Sequence, residues 1–143
     1  MEKQYKLLRC GRLYDGVTAE WKENQNILVR GSRIEAIGTE VPCPEDTEII
    51  DLTRYQVTPG MIDAHMHMDF FDWHTVREEV YASSEEAKTI AIIRCAGKAL
   101  ARGFTTVRHV GGITSNGYGV LDVKRSIEKG YLTGSRIEIG RAS

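Results

Sequence analysis

The stretch Thr58-Pro59-Gly60-Met61-Ile62-Asp63-Ala64-His65-Met66-His67 decides how the chain is to be read. Val57 to His65 is a mostly apolar run interrupted by Pro59-Gly60, the pattern of a strand buried on both faces. Side chains alternate across a strand, so Asp63, His65 and His67 are expected on one face and Ile62, Ala64 and Met66 on the other. Two imidazoles then converge at the carboxyl end of one strand, and imidazole nitrogen is a good ligand for zinc and related ions. The chain holds four histidines, so a bare His-x-His could arise by accident. The apolar strand, the Pro-Gly turn into it and the aspartate on the same face single out His65 and His67 as a metal-ligand pair with Asp63 beside them.

On the carboxyl side, Ser83 to Arg102 has helical character, with Ser83 and Glu86 spaced as a capping box and Gly103 where a helix C-terminal glycine belongs. Phe104 to Val110 is β-branched and short, a second strand. Gly111 to Gly119 is a glycine-rich loop, followed by a helix through Lys129 that ends at Gly130, and Arg136 to Ile139 reads as a third strand. Strand alternating with helix is the rhythm of parallel βα units. The glycine-rich loop lacks a Gly-Lys-Ser/Thr ending and is read as a βα loop, not a phosphate cradle. His74, Asp69 and Asp72 fall in the loop after the first strand, for which a solvated surface is the default reading. Trp21 and Trp73 are read as packing residues.

On the amino side, the first ~55 residues read as short strands and turns. Tyr5 to Cys10 runs into the turn Tyr14-Asp15-Gly16. Asn26 to Arg30 and Arg33 to Ile37 are separated only by Gly31-Ser32, the signature of a tight hairpin. After the Pro42-Cys43-Pro44 loop, Glu48 to Leu52 is expected to complete a small antiparallel module with too few strands to close a sandwich alone.

Of the 143 residues, 41% are hydrophobic and 27% charged, enough for a core and unlike a disordered chain. The 19 basic and 20 acidic side chains leave a charge of -1, which gives no electrostatic footprint for nucleic acid or a membrane surface. No apolar run approaches the ~20 residues needed to span a bilayer, and the opening Met-Glu-Lys-Gln-Tyr-Lys lacks a signal-peptide core, so a cytoplasmic protein is expected. Cys10, Cys43 and Cys95 form no Cys-x-x-Cys pair, and are expected to be reduced, mostly buried thiols, not a disulfide framework or a thiolate zinc site.

Val57 to His67 resembles the metal-binding strand that opens the barrel in the metal-dependent amidohydrolase superfamily. Asn26 to Gly38 is similar to that family's N-terminal hairpin, and Gly103-Phe104-Thr105-Thr106-Val107-Arg108 to its second barrel strand. The latter points to the imidazolonepropionase-like and Xaa-Pro-dipeptidase-like branch, and Gly134 to Ser143 continues that branch's pattern. The resemblance implies an α/β fold: residues 1–55 as an N-terminal β-module, a partial β-sandwich, and residues 56–143 as the first three strands and two helices of an incomplete (β/α)8 barrel of TIM type. It further implies that His65 and His67 are two ligands of the more buried metal, with Asp63 the residue that accompanies them. The cofactor is a divalent metal, zinc first, as one or two ions. A metal-activated water would attack a C–N carbonyl.

The rest of the family's ligand set, a carboxylated lysine, two more histidines and a catalytic aspartate, comes from later strands and has no counterpart here. Catalytic residues are therefore expected beyond this chain. Related sequences usually carry Asp after Thr-Thr-Val-Arg, so His109 departs from the pattern. It is read as a tolerated change beside the site in preference to a new ligand.

A complete barrel takes roughly 250 residues, so the leading expectation is a truncated hydrolase, inactive alone, with weak or no metal binding. The alternative is a noncatalytic or split-subunit protein that completes a barrel with another polypeptide. A weaker third reading is a self-contained small domain using His65, His67 and His109. The substrate class is a small amide, cyclic amide or dipeptide, and an oligomer or complementing polypeptide is the expected protein partner.

Overall fold

The computed structural model describes residues 4–70, 81–112 and 118–140. The chain divides into two compact units, Met1–Pro59 and Gly60–Ser143.

The first unit is a single four-stranded sheet. Its strands are β1 (Tyr5–Tyr14), β2 (Trp21–Arg30), β3 (Arg33–Gly38) and β4 (Thr47–Val57), in the order β3-β2-β1-β4. The hairpin between β2 and β3 forms as the sequence predicts: Arg30 pairs with Arg33 across Gly31-Ser32, and Gly31 takes φ +56°. At the β1–β2 turn the Asp15 carboxylate accepts from the backbone N–H groups of Val17 and Thr18, both at 2.9 Å, and from Lys22 Nζ at 2.6 Å. The Lys22 ammonium, with those backbone donors, holds its carboxyl well below the usual range.

The expected all-antiparallel module is corrected by β4, which runs parallel to β1 from Tyr5↔Thr47 to Leu13↔Val57. Parallel partners need a crossover, and the intervening hairpin and loop supply one. β4 also claims Val57, which the sequence reading assigned to the next strand. Pro59 has no N–H to give a ladder, so the two strands separate there. The core of this unit is Cys10, Leu13 and Ile27, with Leu8, Val29 and Val57 against them. Trp21 packs on Tyr14, ring centroids 5.6 Å apart, and lies under the Arg12 guanidinium.

The second unit holds β5 (Met61–Met66), α1 (Glu85–Ala101), β6 (Phe104–His109), α2 (Tyr118–Glu128) and β7 (Arg136–Ile139). The three strands lie side by side, all parallel, in the order β5-β6-β7. This is the βα arrangement predicted for the start of a barrel. β5 is not buried on both faces, however: Met61 and Ile62 are 46% and 69% exposed, because β5 is an edge strand and β6 the central one.

Helix α1 starts one residue later than its predicted cap. Ser84, not Ser83, sits at extended φ/ψ, and its hydroxyl accepts from Ala87 N–H at 3.2 Å. Glu85 and Glu86 occupy the first turn, where the helix dipole favours negative charge. Its inner face carries Lys88, Ala91, Ile92, Ala96 and Ala99, a 3.6-residue repeat. The buried Lys88 ammonium is met by Glu85 Oε1 at 2.9 Å. Helix α2 buries Val120 and Val123 and closes in a Schellman arrangement at Gly130, with Gly130 N–H bonded to Ile127 O and Tyr131 N–H to Ser126 O. Both helices pack on the sheet around Met68, Val107 and Ile137.

Ile92 is fully buried in this core, whereas Ile90, two positions away on the same helix, is 65% exposed. Ile92→Ala is expected to cost about 2–5 kcal/mol of stability and Ile90→Ala less than about 0.5 kcal/mol. Chemical denaturation of the two variants checks this, and equal losses would contradict the packing.

Candidate metal centre

β5 delivers His65 and His67 to its carboxyl end. The rings stand edge to face, centroids 5.4 Å apart and planes 71° apart, and both residues are exposed. Met66 between them turns toward the core, its Sδ 3.8 Å from Cys95 Sγ. Ile62 and Ala64, expected on Met66's face, are exposed, and the pairing with β6 is irregular between Asp63 and Met66.

His67 Nδ1 lies 2.6 Å from Gly111 O. A carbonyl can only accept, so Nδ1 carries the proton and Nε2 is left with a lone pair. Gly111 aims that carbonyl from φ +124°, a backbone conformation that side-chain-bearing residues rarely adopt. A ring N–H held by a backbone carbonyl is the usual support of a metal-bound histidine. Phe70 meets the His67 ring edge to face, centroids 5.7 Å apart. Asp63 is half-buried, and its carboxylate accepts from His65 N–H at 3.0 Å, which ties it to its own strand. Two imidazoles, one with its tautomer set by a carbonyl acceptor, are a donor set that fits a divalent cation. Among the described residues no group of three or more His, Cys, Asp or Glu is arranged to hold one.

His109 ends β6 and is 4% exposed. Its Nδ1 accepts from Met68 N–H at 3.3 Å. Burial pushes its pKa below the ordinary imidazole value, and the nearby His67 adds to this, while Asp69 and a backbone contact with Met66 oppose it. Asp69 corrects the sequence reading: it is not on a solvated loop but fully buried. The backbone of Gly112 comes so close to its carboxylate that any Cβ at that position would overlap it. The signal in the sequence was the pair Gly111-Gly112 directly after a strand, which marks a close backbone approach. His74, Asp72 and Trp73 lie outside the described residues, as do the middle of the glycine-rich loop and Arg141 to Ser143.

The three cysteines are free. Cys10 is buried and Cys95 half-buried, with both thiols pushed up by burial, whereas Cys43 departs from expectation and is exposed in its loop. Among the described residues no helix is long and apolar enough to cross a membrane.

Three parallel strands joined by helical crossovers, in the order β5-β6-β7, are the arrangement of the start of a (β/α)8 barrel. The chain belongs to the amidohydrolase family, which it matches over residues 56–143. It is 41% identical over 61 residues to a dihydroorotase of Geotalea daltonii, a match covering 43% of this chain and 14% of that protein. It is 40% identical over 47 residues to an adenine deaminase of Lactobacillus delbrueckii subsp. bulgaricus, covering 33% of this chain and 8% of that one. A crystal structure of a Xaa-Pro dipeptidase with bound methionine in the active site superposes with a TM-score of 0.81 at 27% identity, over 95% of this chain and 33% of the dipeptidase. The likeness to Xaa-Pro dipeptidases expected from Gly103 to Arg108 is thus found in the fold, and the chain spans only a third or less of these relatives.

The depressed His109 pKa makes stability depend on pH. The unfolded chain binds a proton at the ordinary imidazole pKa of about 6.5, which the folded state refuses until lower pH. Stability is therefore full above about 6.5 and falls as the pH drops below it. Thermal midpoints at pH about 7.5 and about 5.5 check this, and the gap between them is expected to shrink in His109→Gln, whose amide oxygen can still accept from Met68 N–H.

Proposed function

We propose that these residues form the opening part of a metal-dependent amidohydrolase centre that cleaves C–N bonds in small amides, cyclic amides or dipeptides, and that the 143-residue chain by itself is inactive. The observation that carries this is the His65–His67 pair at the end of β5, with His67 Nδ1 engaged by Gly111 O and Nε2 left to bind. His65 and His67 would hold the ion, zinc first in our reading, as one of one or two. When bound, such an ion supplies Lewis acidity and lowers the pKa of water to about 7. Within the chain, Gly111 O sets the proton of His67, and Asp63 fixes the backbone of His65. Neither does chemistry on a substrate.

The substrate class draws support from relatives named for dihydroorotate and for Xaa-Pro dipeptides. The proposed inactivity of the chain alone is supported by the ligand count among the described residues: two imidazoles without a carboxylate or carbamate hold a divalent ion weakly, and hydrolysis also needs a positioned acid–base group. A cytoplasmic location is part of the same proposal, and three unpaired cysteines agree with it. A complementing polypeptide or a second subunit would supply what the described residues lack.

Zinc titrated calorimetrically into the purified chain is expected to bind weakly, and the His65→Ala, His67→Ala double variant to lose that binding. Equal heats would mean that the pair is not a site. Zinc-loaded chain is expected to show no turnover on N-acyl amino acids, X-Pro dipeptides or cyclic amides. Turnover that disappears in His65→Ala would defeat the inactivity and point to a self-contained centre.

A further inference from the structure

The pairing of β5 with β6 continues past the point where their backbones part. At three consecutive residues the end of β5 and the chain after it are bonded to the chain around the end of β6: Val110 N–H donates to Met66 O at 3.2 Å, His67 Nδ1–H to Gly111 O at 2.6 Å, and Met68 N–H to His109 Nδ1 at 3.3 Å. In the last of these an imidazole nitrogen stands where a ladder would offer a carbonyl. We propose that His109 is a positioning residue for the metal centre: by accepting from Met68 N–H it keeps the segment after β5 in register with Gly111, so that His67 stays in its Nδ1–H tautomer with Nε2 turned out to bind. The proposal rests on the reading of His67 as a ligand.

Free imidazole prefers to carry its proton on Nε2, so the Nδ1–H form of His67 has to be maintained by its acceptor. That acceptor is a single carbonyl in an exposed turn. The opposite wall of the contact is firm only if residue 68 cannot drift. Met68 is fully buried in the core, and its N–H has a buried partner in His109. Asp69 follows, fully buried with Gly112 pressed against its carboxylate. The turn is thus gripped on both sides of Gly111, by His109 before it and by the Asp69–Gly112 contact after it. The same bond fixes the state of His109 itself. Nδ1 accepts, so in the neutral ring the proton sits on Nε2, and neither nitrogen is left to coordinate a metal. His109 supports a ligand and is not one.

The test is a long-range proton–nitrogen NMR correlation of the full 143-residue chain, labelled with 15N-histidine and free of metal, at pH about 8 where imidazoles are neutral. The expected spectrum has His67 with a pyrrole-type Nδ1 and His109 with a pyrrole-type Nε2. His109→Phe keeps a ring but removes the acceptor; it is expected to lose the Nδ1–H form of His67 and the slow hydrogen exchange of the Met68 amide. His109→Gln, which restores an acceptor, is expected to recover both. Cross-strand contacts between Asp63 and Val107 report that the sheet is intact in each variant. A wild-type His67 already protonated on Nε2 overturns the proposal, as does a His109→Phe variant that keeps the Nδ1–H form, or a folded His109→Gln that fails to recover it.

Zinc separates this from the reading it rests on. His109→Phe is expected to bind zinc about 10- to 100-fold more weakly than wild type, as loss of a supporting hydrogen bond does. Equal affinities would overturn the positioning role. A wild-type chain whose His65 and His67 resonances do not respond to zinc would instead remove the metal reading, whatever the tautomers show.

Discussion

Everything in the second unit hangs on the parallel pairing of β5 with β6, from Met61↔Phe104 to Met66↔His109. A parallel pair cannot be closed by a tight turn, and its crossover has to lie on one face of the sheet. Helix α1 is part of that crossover, and its packing supplies most of what the pairing needs. Ile92, Ala96 and Ala99 press on Val107, so the central strand gains a fully buried residue and the ladder is shielded from water. The pairing then decides where chemistry can occur. Both strands end at the same level, and His65, His67 and the turn after His109 meet there because parallel strands bring their carboxyl ends together.

Polar groups in the interior are used as fasteners. Ser135 is fully buried; its N–H donates to Ala96 O, and its hydroxyl lies 2.5 Å from Phe104 O and 3.3 Å from Ala96 O. One short side chain therefore joins the entry to β7, the middle of α1 and the start of β6. Lys124 does the same between α2 and β7, donating to Ile137 O at 2.6 Å with Glu128 at 3.1 Å. Each such bond contributes only about 1 kcal/mol net, but an orphaned buried group would cost more than that. Their value is in holding the register on which the candidate centre depends.

At the candidate centre the protein positions its histidines with backbone more than with charge. Gly111 O fixes one ring and Asp63 the backbone of the other. Asp69 is fully buried, with the backbone of Gly112 close against its carboxylate. What the arrangement presents outward is the pair of exposed imidazole rings of His65 and His67.

Much of this was legible in the residues. The Gly31-Ser32 hairpin, the helical character of α1 and the bounds of β7 are local patterns, and local patterns survive folding because sterics and periodicity impose them on any chain that forms the element. The family could be read for the same reason: its motifs are short and contiguous. Three things were decided only in three dimensions. Strand β4 turned out parallel to β1, since orientation depends on which edge of the sheet is free when the chain returns. Val57 went to β4 instead of β5, since two β-competent neighbours compete for one residue and pairing with Leu13 wins. Asp69 and His109 became buried partners of Gly112 and Met68, contacts between segments some forty residues apart that no window of sequence contains. Periodicity tells which side of its own strand a residue takes; what waits on that side is set by long-range packing.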